Sequence, residues 1–471
     1  MFVLSRWLGV AGTVSLFLAL LALLTQVGCE APRRRPNIVL IIVDTLRADH
    51  TSAYGYERKT TPNLEHYFAE AELFENAYST ASYTSASVVS ILSGLQPPRH
   101  GIRDFYQRLS PDVRILPEYL KKQGYQTAAV VSNTVLTEEA LGLAGRFDHY
   151  DDFVDERELN RQIFQRRASR TTDAALRWLN LDRDPELPHF LLLHYIDPHA
   201  PYRPPADELR PRFDHEGEFP LDKPVPGYQR LQGVTDGLDY VDRYDEEVFY
   251  ADREMGRFLA AYAKQGLLDD ALLVFTSDHG ETLLDHHPRF THSRSIWNEA
   301  LRVPLLVRWP GGEASRNASF VSLVDLTPSI LEFISGEVPE DLQGIPFARR
   351  ETGDLLLQES WVTTRQQKDS GRLRSAIRNE EKWTFRLDDG EIRALWHADL
   401  ATDPGETRLK KWEEADPETP RLLVEMLRAE VAAADRFADR SESGFMIDSP
   451  KRAPPLEPHQ REALEALGYV E

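Results

Sequence analysis

The chain has one cysteine in 471 residues, Cys29, so no intrachain disulfide can hold it together. It is also short of positive charge: 55 lysines and arginines face 76 aspartates and glutamates, for a formal charge of −21. That balance argues against nucleic acid as a partner, because phosphate backbones need a basic face. It does not exclude a small anionic ester, since a buried metal sets the local potential whatever the net charge. No internal repeat occurs. Hydrophobic residues at 41% and charged ones at 28% are ordinary for a folded protein, so wholesale disorder is excluded as well. The length suits one large domain and a smaller one.

The long apolar run lies at the N-terminus, "MFVLSRWLGVAGTVSLFLALLALLTQVGCE". Residues 1–29 read as an export signal, and Cys29 after Gly28 suits lipoprotein cleavage. Gln26 and the basic Arg33, Arg34 and Arg35 favour an uncleaved anchor instead. Either reading predicts an exported protein attached to a membrane by its N-terminus, periplasmic or at the cell surface, with 30–36 as linker.

From Asn37 strands and helices alternate. "NIVLIIV" is a continuous β-branched run suited to a strand buried on both faces. "TAAVVS", "HFLLLHYI" and "ALLVFTS" repeat the theme, each after a helical pattern, and Gly124 fits a helix C-terminal cap. The alternation predicts an α/β domain over 37–350 with a large, mostly parallel sheet flanked by helices. Two charged stretches, Asp151–Arg170 and Tyr202–Tyr240, break the pattern and read as surface excursions. Beyond residue 350 the texture suits a smaller α+β unit over 351–439, with paired strands turning at Asn379-Glu380 and Asp389-Gly390 and an amphipathic helix in "PRLLVEMLRAEVAAADRFA". A tail, 440–471, is expected to pack on the main domain.

In a parallel sheet, ligands bind beyond the carboxyl ends of the strands. Here four apolar runs end in polar groups: Asp44, Asn133, Asp197 with His199, and Asp278 with His279. Singly, an Asp after a strand is ordinarily a turn or cap residue. Together, Asp44, Asp278 and His279 offer two hard oxygens and an imidazole, a set suited to zinc or manganese. Gly280 follows at a place where a side chain would crowd. "TASYTSASVVSILSG" is dense in hydroxyls. Val88, Val89, Ile91 and Leu92 can form one helix face, Gly94 can end the helix, and Ser82, Ser85 and Ser87 read as capping hydroxyls. Thr84 at the helix N-terminus reads the same way in isolation. Beside a metal it becomes a candidate nucleophile, because coordination makes a threonine hydroxyl competent.

With "RPNIVLIIVDTLRADHTSAYGY", "SVVSILSGLQPPRHG", "HYIDPHAPY", "VFTSDHGETL" and "ALRVPLLVRWPG" in hand, the chain resembles the sulfatase branch of the alkaline phosphatase-like superfamily. The resemblance implies a mixed sheet, a small C-terminal antiparallel sheet, and metal-assisted cleavage of sulfate or phosphate esters through a covalent intermediate. It also marks departures. Thr84, Ala86 and Val88 stand where sulfatases carry Cys or Ser, Pro and Arg, so no formylglycine is expected. Ser132 and Thr134 stand near the family's lysine and histidine, and Thr45 at its second aspartate. What remains is similar to phosphotransferases and phosphodiesterases with a threonine nucleophile. That likeness implies one divalent metal (Zn, Mn or Ca) on Asp44, Thr84, Asp278 and His279. It puts Asn133 against a phosphoryl oxygen; Asp197 and His199 are candidates at the substrate, and His199 and His292 candidates for oxygen binding or leaving-group protonation. Dinuclear members add an Asp-x-x-x-His pair and another His; only Asp197-x-His199 and His292 answer, which leaves a second metal open. The expectation is a hydrolase or transferase for a phosphate mono- or diester of a small molecule, glycan or lipid, through a threonyl intermediate. A sulfatase without formylglycine is the alternative, and a non-catalytic surface protein of the same fold the second.

Overall fold

The computed structural model describes residues 35–412, with interruptions at 104, 106, 158–159, 161–163, 207–212, 361–372 and 389–390, and residue 424. Residues 1–29, expected to act in export, the expected amphipathic helix apart from Val424, and the tail 440–471 lie outside the described residues. So does the turn at Asp389-Gly390.

Strand β1 (Ile38–Val43) is fully buried. Its side chains alternate between two apolar clusters, with Ile38, Leu40 and Ile42 on one face and Val39, Ile41 and Val43 on the other. This two-sided burial is why the run is apolar without interruption. The sheet continues through β2 (Glu72–Tyr78), β3 (Gln126–Val130), β4 (His149–Asp151), β5 (His189–Tyr195), β6 (Leu272–Ser277), β7 (Leu305–Arg308) and β8 (Ser315–Ser322). Their spatial order is β8-β2-β7-β6-β1-β5-β3-β4, and the short strand Arg302–Val303 also pairs with β2. Strand β7 runs antiparallel to both neighbours, while β1 is parallel to β5 and β6. Val43 is in register with Tyr195 and with Ser277, so the chain leaves these three strands at one level. Asp44, Ile196 and Asp278 therefore emerge side by side.

Helix α1 (Thr84–Ser93) covers one face of the sheet, and α2 (Leu116–Lys122) joins the same cluster. Helices α3 (Ala168–Arg177) and α4 (Gly237–Lys264) cover the other. Helix α5 (Leu326–Ser335) packs beside α1. Among the described residues no helix is long and apolar enough to cross a membrane. A second sheet follows, in the order β9 (Leu356–Glu359), β10 (Leu373–Arg378), β11 (Glu381–Asp388) and β12 (Glu391–Asp399), antiparallel throughout. Asn379 and Glu380 turn β10 into β11 at φ 51° and 66°, the left-handed pair of a tight hairpin.

Three expectations change. All ten residues of α1 are buried, not one face of it, because the helix lies between the large sheet and α5. Its N-cap is Tyr83, which offers no side-chain cap, so the neighbouring serines do other work. Ser82 donates to the Ser293 carbonyl and Ser87 to that of Asp278, at 3.1 and 2.6 Å, while Ser85 Oγ is buried without a partner. The excursion after Tyr202 ends at Asp236, whose carboxylate caps α4 by accepting from Leu238 N.

Candidate active site

The common level of β1, β5 and β6 sets the site. Asp44 follows β1 with its amide donating to Tyr195 O at 2.9 Å. Thr45, next along, takes φ 57°, which strains a β-branched residue. Two bonds hold it there: Thr45 N donates to Asp278 Oδ1 and Tyr244 Oη donates to Thr45 O. After β6, Asp278 Oδ1 also accepts from His279 N at 2.9 Å. A Cβ on Gly280 would stand 2.0 Å from Glu299 O, so the expected crowding is real and only glycine fits.

Asp44, Asp278 and His279 converge, each fully buried, with their ligand atoms all within 4.8 Å of one another. His279 Nδ1 lies 2.9 Å from Gly280 O; as the carbonyl can only accept, Nδ1 carries the proton and Nε2 presents a lone pair. That lone pair faces Asp44 Oδ1 at 3.7 Å and Asp278 Oδ2 at 3.6 Å, two buried carboxylate oxygens with no hydrogen-bond partner. Three acceptors turned on one another in a dry interior repel, and a divalent cation removes the conflict. Ligand bonds of about 2.1 Å would separate the ligand atoms by roughly 3–3.5 Å. The residues fit a metal, and among the described residues they are the one group so arranged. Burial, with the Asp278 carboxylate adding to it, pushes the Asp44 carboxyl well up. Burial likewise holds the His279 ring below its usual range.

Thr84 begins α1 and is 2% exposed. Its Oγ1 lies 3.3 Å from His279 Nε2 and 3.5 Å from Asp44 Oδ2, so the four residues expected at the metal come together. Asn133 arrives as well, but its amide is engaged: Nδ2 donates to Asp44 Oδ2 at 2.7 Å while Oδ1 accepts from Val135 N. Asp197 turns away. It accepts from Ala168 N at the start of α3 and pairs with Arg167 Nε at 2.5 Å. His199 and His292 stand beside the cluster, with the His292 ring centroid 4.5 Å from that of His279 and 5.3 Å from that of His199.

Several neighbours escaped sequence reasoning. His194 lies inside β5 with its Nε2 buried 3.8 Å from Asp44 Oδ2, and burial pushes it down to about 4. Attention to strand ends passes over a histidine inside the strand. Glu281, fully buried, touches His292, Tyr202 and Gln229, and burial pushes its carboxyl up to about 8. The signal for it was present in "DHGE", one residue beyond Gly280.

The sulfatase family model matches residues 36–336. The N-acetylglucosamine-6-O-sulfatase of Bacteroides thetaiotaomicron is 26% identical, over 69% of this chain and 73% of that protein. The arylsulfatase of Clostridium perfringens is 24% identical, over 66% and 77%. Among solved structures, the phosphonate monoester hydrolase of Agrobacterium radiobacter superposes with a TM-score of 0.68 at 18% identity, covering 85% of this chain and 96% of its own, a likeness of fold.

Proposed function

As the chain belongs to the sulfatase family of ester hydrolases, we propose that it cleaves a phosphate mono- or diester through a covalent intermediate on Thr84. The observation that carries this reading is the Thr84 hydroxyl at the start of a buried helix, facing Asp44, Asp278 and His279. Those four residues would hold one divalent metal, which when bound supplies Lewis acidity to the hydroxyl and to the ester oxygens. A zinc, manganese or calcium ion suits the donor set.

The chain's own groups account for the rest. Thr84 Oγ1 bonds to phosphorus as the ester's leaving oxygen departs, and the hydroxyl proton is directed at Asp44 Oδ2. The departing alkoxide takes a proton from His199 or His292. The amides of the first turn of α1 meet charge on the equatorial oxygens. Asn133 keeps Asp44 oriented. Water then attacks phosphorus, phosphate or its monoester leaves, and Thr84 recovers its proton. A formylglycine hydrate can expel sulfate by elimination, whereas a threonyl ester needs attack by water or an acceptor alcohol. That difference favours phosphate over sulfate. The alternative, direct sulfate-ester hydrolysis, draws on the relatives named as sulfatases. The N-terminal segment 1–29 supports export with attachment at a membrane.

The test uses nitrophenyl phosphate, a nitrophenyl phosphodiester and nitrophenyl sulfate, with acid quench and mass spectrometry of the Thr84 peptide. We expect turnover of a phosphate ester, a phosphoryl group on Thr84, and at least about a thousandfold loss in T84A. Turnover of the sulfate ester alone, or an active T84A, overturns the reading.

A further inference from the structure

The excursion that begins at Tyr202 looked, in sequence, like charged surface. Its described parts instead send Tyr202 and Gln229 inward, both fully buried, onto one group. Tyr202 Oη and Gln229 Nε2 each donate to Glu281 Oε2 at 3.2 Å. The other oxygen, Glu281 Oε1, faces His292 Nδ1 at 3.4 Å. Glu281 is itself fixed at the backbone, where its amide donates to Glu299 O at 3.0 Å. Two directional donors on one oxygen leave the second turned toward the His292 ring. The contact engages Nδ1 whichever partner holds the shared proton, and so fixes the orientation of the His292 ring. The ring so held is packed against those of His279 and His199.

We propose that Glu281 is a positioning residue for His292, and that Tyr202 and Gln229 hold Glu281 in that role. The excursion is thereby part of the active-site frame, tying a loop outside the sheet to a ring beside the metal ligands. Tyr228 extends the same tie by donating to Phe290 O at 3.2 Å, two residues before His292. A bland account is that Glu281 is a satisfied core carboxyl with no effect on its neighbour. The two accounts differ in whether the effects of Glu281 and His292 are separable. The inference rests on the proposed ester-cleaving reading of this site.

The experiment is a double-mutant cycle with E281Q, H292Q and the double variant, on whichever nitrophenyl ester the wild type turns over. It is paired with 15N spectra of histidine-labelled protein, in which H292Q identifies the His292 signals. We expect E281Q to lower kcat about 10–100-fold with KM within about threefold. The double variant should match H292Q within about threefold, because the two residues act as one unit. In the spectra, E281Q should shift the His292 signals from their wild-type positions. Multiplying effects in the cycle, a kcat for E281Q within threefold of wild type, or an unmoved His292 signal overturns the proposal. Failure of the threonyl reading shows separately, as an active T84A. If no ester is turned over, the spectra decide alone.

Discussion

The two sheets serve the candidate site in different ways. The large sheet delivers chemistry directly: Asp44 leaves β1 and Asp278 leaves β6 at one level, and register alone makes them neighbours. Among the described residues the small sheet sends no side chain into the cluster, yet it bonds to both segments that complete it. At its edge, Glu359 N donates to Thr80 O and Glu359 O accepts from Ser82 N, just ahead of Thr84. The Glu359 carboxylate is gripped by Arg103 Nε and Nη2 at 3.0 and 2.7 Å. From β11, the buried Lys382 ammonium donates to Ile296 O and Asn298 Oδ1, just after His292, and pairs with Glu406 at 2.9 Å. One sheet supplies reactive groups and the other fixes the loops that carry them.

This division can be broken from either side. The largest effect is expected from D278N, a change at the delivering sheet. With metal supplied, activity and stoichiometric metal should both be lost, as measured by assay and elemental analysis. In chelator the same variant should be more stable than wild type, by about 1–3 kcal/mol in urea unfolding, because a donor then faces the His279 lone pair. A D278N protein less stable than wild type in chelator would mean that the carboxylates are not in conflict. Next comes K382M at the fixing sheet. It leaves the Glu406 carboxylate buried without its cation and should cost about 3–5 kcal/mol. Metal content at low temperature should stay near wild type, which separates fixing from delivering.

The smallest effect lies where the two regions meet. His100 follows α1, with Nδ1 accepting from Ile102 N at 3.1 Å and Nε2 bonded to Ser90 Oγ. Burial lowers its folded value to about 3. The unfolded chain therefore takes up a proton near pH 6.5 that the folded chain refuses. The stability is fully present above about pH 6.5 and is lost as pH falls toward 3. H100Q should flatten that acid limb by up to one proton, about 1.4 kcal/mol per pH unit, in urea midpoints measured from pH 7 to 4. An unchanged slope counts against a neutral His100.

Much of the large sheet was legible because burial on both faces writes uninterrupted apolar runs, as in β1. The metal-ligand candidates were legible because they sit at the ends of those runs. His194, Glu281 and Lys382 were not. Each is a polar group inside a buried element or loop, and its partners come from segments remote in the chain. The serines before and within α1 misled for the opposite reason: a hydroxyl near a helix start reads as a cap whether or not the backbone places it at the N-cap. Tyr202 and Gln229 were hidden by the charged residues around them, which set the character of the whole excursion.

The burial of α1 on every side also limits what this site can turn into. Ala86 and Val88, which the sequence resemblance sets against the proline and arginine of conventional sulfatases, are 0% and 1% exposed, and both belong to the core packed under the sheet. An arginine at 88 would push a guanidinium into the apolar core that Val88 now fills. A cysteine at 84 would exchange the hydroxyl for a thiol and remove a methyl, but an arginine at 88 would still meet the packed core. Conversion to a conventional sulfatase would therefore need the core beneath α1 rebuilt around it.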